Sequence, residues 1–269
     1  MTSEYRLGRL TWPQIKEILP NVNAVMVPIG STEQHGRHMS VGTDHSSSQL
    51  LCEMIAQKAQ EEGLRVLVAP TVNYGISWYH VNFPGTVTLS PQTFMSVVKE
   101  VCEGLIKQGF KNIILLNTHG GNTAALTVAI NEVYEKLKNK VMLCHWWSLS
   151  AEVFRKRGVR TPLVHAEEAE TSLALALGEP VVLEELARTA FDRKAVLEER
   201  EVATSKHIYY DLITPGSGVL IPMDYIDDIS ATGVVGDAAA ATKETGEAML
   251  VDILSKAVEL IKDLNQKNL

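Results

Sequence analysis

Ala24-Val25-Met26-Val27-Pro28-Ile29-Gly30-Ser31-Thr32-Glu33-Gln34-His35-Gly36-Arg37-His38 opens on an apolar run and then turns polar. The first four residues read as a buried strand. Gly30-Ser31 breaks it and leaves Glu33 and His35 in a loop at the strand's carboxyl end, the edge where open α/β sheets bind ligands. Thr43-Asp44-His45 closes the stretch. Two carboxylates and an imidazole are the oxygen and nitrogen donors that Zn²⁺ or Mn²⁺ takes. Alone, so short a Glu-x-His pattern reads better as an ordinary polar loop.

Two further stretches change that balance. Ile113-Ile114-Leu115-Leu116-Asn117-Thr118-His119-Gly120-Gly121-Asn122 is again an apolar run that ends in a polar loop with a histidine. Gly120 and Gly121 permit a tight turn or the close approach of a ligand there. His165-Ala166-Glu167-Glu168-Ala169-Glu170-Thr171-Ser172 places one histidine and three acids at the start of a predicted helix. Ala166, Ala169, Leu173 and Leu177 form its inward stripe. Glu170 lies beside that stripe, Glu167 farther around and Glu168 opposite, so Glu170 is expected to be the buried acid and to need a partner.

The remainder alternates strands and helices. Thr11-Trp12-Pro13 opens a short helix that Pro20 helps to end. A helix over 46–62 is followed by a strand over 65–70. Ser90-Pro91 starts a helix that stops at Gly109. The strand 113–116, a helix carrying Leu126, Ile130, Val133 and Leu137, and the strand 141–144 come next. That last strand delivers His145, Trp146 and Trp147 to the same sheet edge, where the tryptophans are candidate substrate contacts. The loop of 73–85 is long for a connection and rich in aromatics, and it could line a pocket or plug the edge. His80 within it is a further candidate substrate contact. Residues 190–222 are less periodic and read as a subunit-facing or lid-like segment, and 237–264 as one long helix. The pattern predicts an α/β fold, a three-layer α/β/α sandwich with a mainly parallel central sheet. No linker, repeat or low-complexity tract divides the chain, so one domain is expected over residues 1–269.

With 269 residues, 45% hydrophobic and 21% charged, the chain can bury a substantial core. A net charge of -7 argues against nucleic acid or anionic membrane as a main partner. Cys52, Cys102 and Cys144 lack metal-type spacing and read as thiols in a reducing compartment. The polar start, with no apolar core of a signal peptide and no run of membrane-spanning length, predicts a cytoplasmic protein.

Gly30-Ser31-Thr32-Glu33-Gln34-His35-Gly36, Phe83-Pro84-Gly85-Thr86, Asn117-Thr118-His119-Gly120-Gly121-Asn122 and His165-Ala166-Glu167-Glu168-Ala169-Glu170-Thr171-Ser172 together resemble the creatininase (creatinine amidohydrolase) family. The motifs follow the family's order, and the likeness runs from about Leu10 to Thr232–Asp237. It implies a pair of divalent metal ions, Zn²⁺ and/or Mn²⁺ with Fe²⁺ possible. Glu33, His35, Asp44 and His119 are the implied ligands, with Asp44 bridging. Glu170, the glutamate of the Glu-Thr-Ser motif, is the implied fifth ligand. His165 matches the family's catalytic, non-ligand histidine, a general acid or base. His38 and His45 are expected beside the site or at the surface. A closed homo-oligomer, a hexamer, is implied as well.

The chain also departs from creatininase. Gly120 and Gly121 stand where creatininase carries a Tyr-Glu pair that supplies a ligand. Glu167 stands where a glycine is usual and is expected at the surface. No tryptophan immediately precedes His165. Creatinine is therefore not the expected substrate. The reading is a dinuclear metal-dependent hydrolase that cleaves a C–N bond of a small cyclic amide or related amide. The alternatives are a C–C or ring-opening hydrolase of a cyclic keto-sugar or cyclitol-derived ketone, and a non-catalytic, metal-stabilised binding protein.

Overall fold

A computed structural model describes residues 3–157, 164–186 and 223–267. Four strands, β1 (Ala24–Ile29), β2 (Val66–Val68), β3 (Ile113–Asn117) and β4 (Val141–His145), form a parallel sheet in the order β2-β1-β3-β4. The β1–β3 register runs from Val25 opposite Ile113 to Ile29 opposite Asn117. The chain steps from β1 to β2 on one side and then returns to place β3 on the other. The carboxyl ends of β1 and β3 therefore flank the point where strand order reverses, which is where such sheets form a crevice.

Alternation along the strands divides the core in two. Ala24, Met26, Ile114 and Leu116 face a cluster built with α2 (Thr43–Glu61), α5 (Trp146–Arg157), α6 (Glu168–Leu177) and a C-terminal helix, α9 (Lys243–Lys267). Val25, Val27, Ile29, Ile113 and Leu115 face the opposite cluster, built with α1 (Trp12–Ile18), α3 (Pro91–Gln108) and α4 (Thr123–Leu137). This is the expected three-layer sandwich. Two one-turn helices, α7 (Leu183–Leu186) and α8 (Ile226–Ile229), complete the described helices.

Local signals set most boundaries. Ser90 caps α3 by accepting the Thr93 N–H, and Gly109 closes it in the left-handed conformation at φ 98°. The expected long helix at the C-terminus begins later, at Lys243, because Thr242 accepts the Thr245 N–H as its cap. Helix α2 begins three residues earlier than its apolar pattern suggests, so Asp44 lies in its first turn rather than in a loop. The segment 190–222 falls outside the described residues. No described helix is long and apolar enough to cross a membrane.

Candidate active site

Four pieces of chain distant in sequence meet at the carboxyl ends of β1 and β3. Thr118, just past β3, donates its N–H to Ile29 C=O at 3.0 Å and its hydroxyl to Asp44 C=O at 2.8 Å. A side chain at position 30 would collide with the backbone of Asp44 and His45, so only glycine lets the end of β1 lie against the start of α2. Asn122 donates to Gly30 C=O at 3.0 Å and accepts the Ile76 N–H at 3.0 Å, which clamps the 73–85 loop to the same edge.

These contacts, with the hydrogen bond of His165 to Gln34 C=O, gather Glu33, His35, Asp44, His119 and His165, all buried, and Glu170, which is half-buried. Glu33 Oε1 lies 3.2 Å from His119 Nδ1, 3.4 Å from His80 Nε2 and 3.5 Å from His165 Nδ1. Asp44 divides its two oxygens, with Oδ1 3.3 Å from His35 Nε2 and Oδ2 3.4 Å from His119 Nδ1. Three groups of donors lie within 4.8 Å of one another: Glu33, Asp44 and His119; His35, Asp44 and Glu170; and Glu33, His35 and His165. Any of them could hold a metal ion. The first two share Asp44.

Backbone carbonyls orient three of the histidines. His35 Nδ1 is 3.1 Å from Glu33 C=O, His119 Nε2 is 2.9 Å from Ile76 C=O, and His165 Nε2 is 2.6 Å from Gln34 C=O. A carbonyl can only accept, so each of those nitrogens carries the ring proton. Each neutral ring then turns a lone pair toward a buried carboxylate. Glu33 Oε1 and Oε2, His35 Nε2 and Asp44 Oδ2 have no hydrogen-bond partner. Lone pairs and carboxylates facing one another at such depth repel unless a cation lies among them, and orienting a ligand imidazole through its other nitrogen is how metal sites are supported. The residues present fit divalent metal.

Without a cation, protons take that place. Burial alone would lower the His35 and His119 pKa values. Asp44, Glu170 and Glu33 together outweigh it at His35, raising it to about 10, and Glu33, Asp44 and the Ile76 carbonyl outweigh it at His119, raising it to about 9. Burial raises Asp44, and it raises Glu170 to about 7. Burial would raise Glu33 too, but the surrounding histidines hold it well below the usual range. His165 is pushed well below its ordinary value by burial and by its His80 and His35 neighbours.

The third stretch departs from its periodicity. Glu167, expected at the surface, is fully buried, and Glu170, expected to be the buried acid, is half-buried. Glu167 precedes α6 as its N-cap, where helical spacing does not apply, and its carboxylate accepts the Ala169 and Glu170 N–H groups at 2.9 and 3.1 Å. Ala166 takes φ 52° just before it, and its N–H donates to the Glu170 carboxylate at 2.5 Å. Glu170 still reaches the cluster.

Other expectations divide. His80, in a 3-10 turn over Trp78–His80, is buried against Glu33 and lines a cavity of ≈ 20 Å³ with Tyr79, His119, Gly120, His165 and Glu170. The 73–85 loop thus lines the site. Gly121 is wedged against Ile76 C=O, the Tyr79 hydroxyl and the His119 ring, so a side chain there would displace the protein's own loop. Trp146 and Trp147 are not brought to the cavity. They pack into the core beside α2 and α9, because β4 ends at His145 and α5 turns them under the sheet. His38 is fully buried, with Nε2 2.9 Å from the Thr171 hydroxyl, and His45 is half-buried. Sequence reasoning passed over Gln34, Met223 and Ile226. Gln34 sits inside the first motif, whereas Met223 and Ile226 line the cavity from a segment with no motif signal.

The fold recurs in known proteins. The family model described as Creatininase: Creatinine amidohydrolase matches residues 8–261. A 3-dehydro-scyllo-inosose hydrolase of Thermotoga maritima is 27% identical over 96% of this chain and 83% of its own. A mycofactocin precursor peptide peptidase of Mycolicibacterium smegmatis is 28% identical over 95% of this chain and 90% of its own. A solved mutant creatininase, described as Zn-Zn type, superposes with a TM-score of 0.76 at 23% identity, over 97% of this chain and 98% of the other. With the motifs in order and the match covering nearly its whole length, the chain belongs to the creatininase family of hydrolases.

Proposed function

We propose that the chain acts as one domain, a dinuclear metal-dependent hydrolase that cleaves a C–N bond in a small cyclic amide or related amide. The observation that carries this reading is the set of carbonyl-oriented histidines whose lone pairs face the buried, unpartnered carboxylates of Glu33 and Asp44. Glu33, Asp44 and His119 would hold one divalent ion, and His35, Asp44 and Glu170 the other. Zinc and manganese both suit such nitrogen and oxygen donors. What the ions supply when bound is Lewis acidity toward a carbonyl oxygen and a lowered pKa for water. The protein's own residues do the rest. His165 carries a proton between water and leaving group, Gly120 leaves room beside the cluster, and Tyr79, Met223 and Ile226 shield it from solvent.

A second reading is favoured by the inosose hydrolase likeness, since a keto-cyclitol also presents a carbonyl to such a centre. The deciding experiment assays zinc- and manganese-loaded protein on cyclic amides, formamides, short peptides and cyclic polyhydroxy ketones, with products identified by mass spectrometry. Release of an amine with a carboxylate supports the first reading. Ring opening or C–C cleavage of a ketone without any amide turnover replaces it with the second.

Metal binding should also abolish a pH dependence. In the metal-free protein His119 and His35 hold protons up to about 9 and about 10, whereas an unfolded imidazole releases its proton near 6.5. Their stabilising contribution is fully present below the unfolded value and is lost as pH rises through the folded ones. The melting temperature of metal-free protein is therefore expected to fall between about pH 7 and pH 10, and saturating Zn²⁺ should abolish the fall. Parallel melting curves with and without Zn²⁺ would contradict the assignment.

The cysteine pattern and polar start extend the proposal to a cytoplasmic protein, and the family likeness to a hexameric assembly. Light scattering at micromolar concentration should show a closed oligomer, and a monomer alone would remove that part.

A further inference from the structure

Gln34 stands between two of the proposed ligands, and its side chain is fully committed. Its Oε1 accepts the Gly36 N–H at 2.8 Å, and its Nε2 donates to Gly233 C=O at 2.9 Å. Those two backbone partners determine which end of the amide is which, a choice that a glutamine's shape alone leaves open. The second Nε2 hydrogen then points at His80 Nδ1, 2.8 Å away. Because that hydrogen can only be donated, His80 Nδ1 must accept it, and the ring proton of neutral His80 resides on Nε2. Nε2 is the atom that lies 3.4 Å from Glu33 Oε1.

The backbone of the same residue treats the neighbouring histidine the other way round. Gln34 C=O takes the Nε2–H of His165 at 2.6 Å, so the nitrogen that His165 turns toward Glu33, at 3.5 Å, is the bare Nδ1. The His80 and His165 rings pack with centroids 4.2 Å apart. One residue thus orients two adjacent imidazoles so that one shows N–H and the other a lone pair.

We propose that Gln34 is the positioning residue of the site: through its side chain it makes His80 the hydrogen-bond donor of the cavity, and through its carbonyl it makes His165 the acceptor. Both groups face Glu33 Oε1 in the cavity. In hydrolysis the His80 Nε2–H is the donor available to the carbonyl oxygen that gains charge, and the bare His165 Nδ1 is the acceptor available to the attacking water. The orientation of the two rings does not depend on the reaction. The division of labour rests on the hydrolase reading above.

Neutron diffraction of perdeuterated, zinc-loaded protein tests the orientation directly. Deuterium is expected at Nε2 of both His80 and His165, and on neither Nδ1. Gln34→Glu keeps the acceptor for Gly36 and replaces the donor that serves both His80 and Gly233 C=O by an acceptor, so the Gly233 bond is lost and the His80 deuterium should move to Nδ1 while His165 stays unchanged. With any amide substrate found, Gln34→Glu should lower kcat by about 10²-fold or more at unchanged zinc content, the scale of a lost donor in the transition state. Deuterium on His80 Nδ1 in the unaltered protein overturns the proposal without the need for a variant, as does an unmoved deuterium in Gln34→Glu. If the deuterium is found as expected but no amide is turned over, the orientation stands and it is the hydrolase reading that fails.

Discussion

Asp44→Ala protein is expected to retain neither divalent ion, where the unaltered chain is expected to carry up to two. Asp44 is buried in the first turn of α2 and turns its two oxygens to different histidines, 3.3 Å from His35 and 3.4 Å from His119. It belongs to both of the donor groups proposed to hold metal. Losing it leaves each group two residues, and a divalent ion of this class asks for at least three protein ligands. The backbone around position 44 is held independently, since Thr118 donates to the Asp44 carbonyl rather than to its carboxylate. The fold should therefore persist while the metal is lost. Elemental analysis after exhaustive dialysis checks the stoichiometry, and a full complement in Asp44→Ala would falsify the shared role.

His165→Ala is expected to keep both ions and lose most turnover. A positioned acid or base contributes about 10²–10⁴-fold in rate, or roughly 3–5 kcal/mol of barrier. Its backbone pairs reciprocally with Val235, at 3.3 and 2.9 Å, and those bonds survive removal of the ring. Glu170→Gln should fail differently, weakening metal affinity first and losing activity as a consequence, so that excess metal rescues it in part. The proximity of His165 to Glu33 and His35 gives the comparison its force. If His165→Ala is metal-deficient and rescued by excess Zn²⁺, the ring is a ligand. If it turns over at the original rate, proton transfer passes to another group, His80 or Glu168.

Which residues enter strands and helices was decided close by in sequence. Apolar runs such as 24–27 and 113–116, ended by polar glycine-containing loops, and helices bounded by Ser90-Pro91 and Gly109 are local matters of burial, capping and backbone freedom. The same signals placed Glu33, His35 and His119 after the ends of strands, the edge where the structure gathers them. Glu167 and Glu170 were a different matter, because helical spacing ranks side chains only within a helix. Glu167 caps α6 from outside it, so the acid expected at the surface became the buried one. Trp146 and Trp147 follow a strand in sequence, yet they are turned into the core by the helix that starts on them. What only the tertiary structure decided is which loops face each other. The order β2-β1-β3-β4 sets β1 beside β3, and that adjacency brings positions 33, 44 and 119 within reach of one another, while the Gln34 carbonyl draws in His165. No period along the chain encodes it, since it comes from burying both faces of one twisted sheet under helices. The orientation of each imidazole follows from it too, because the carbonyls of Ile76 and Gln34 that hold His119 and His165 lie 43 and 131 residues away in sequence.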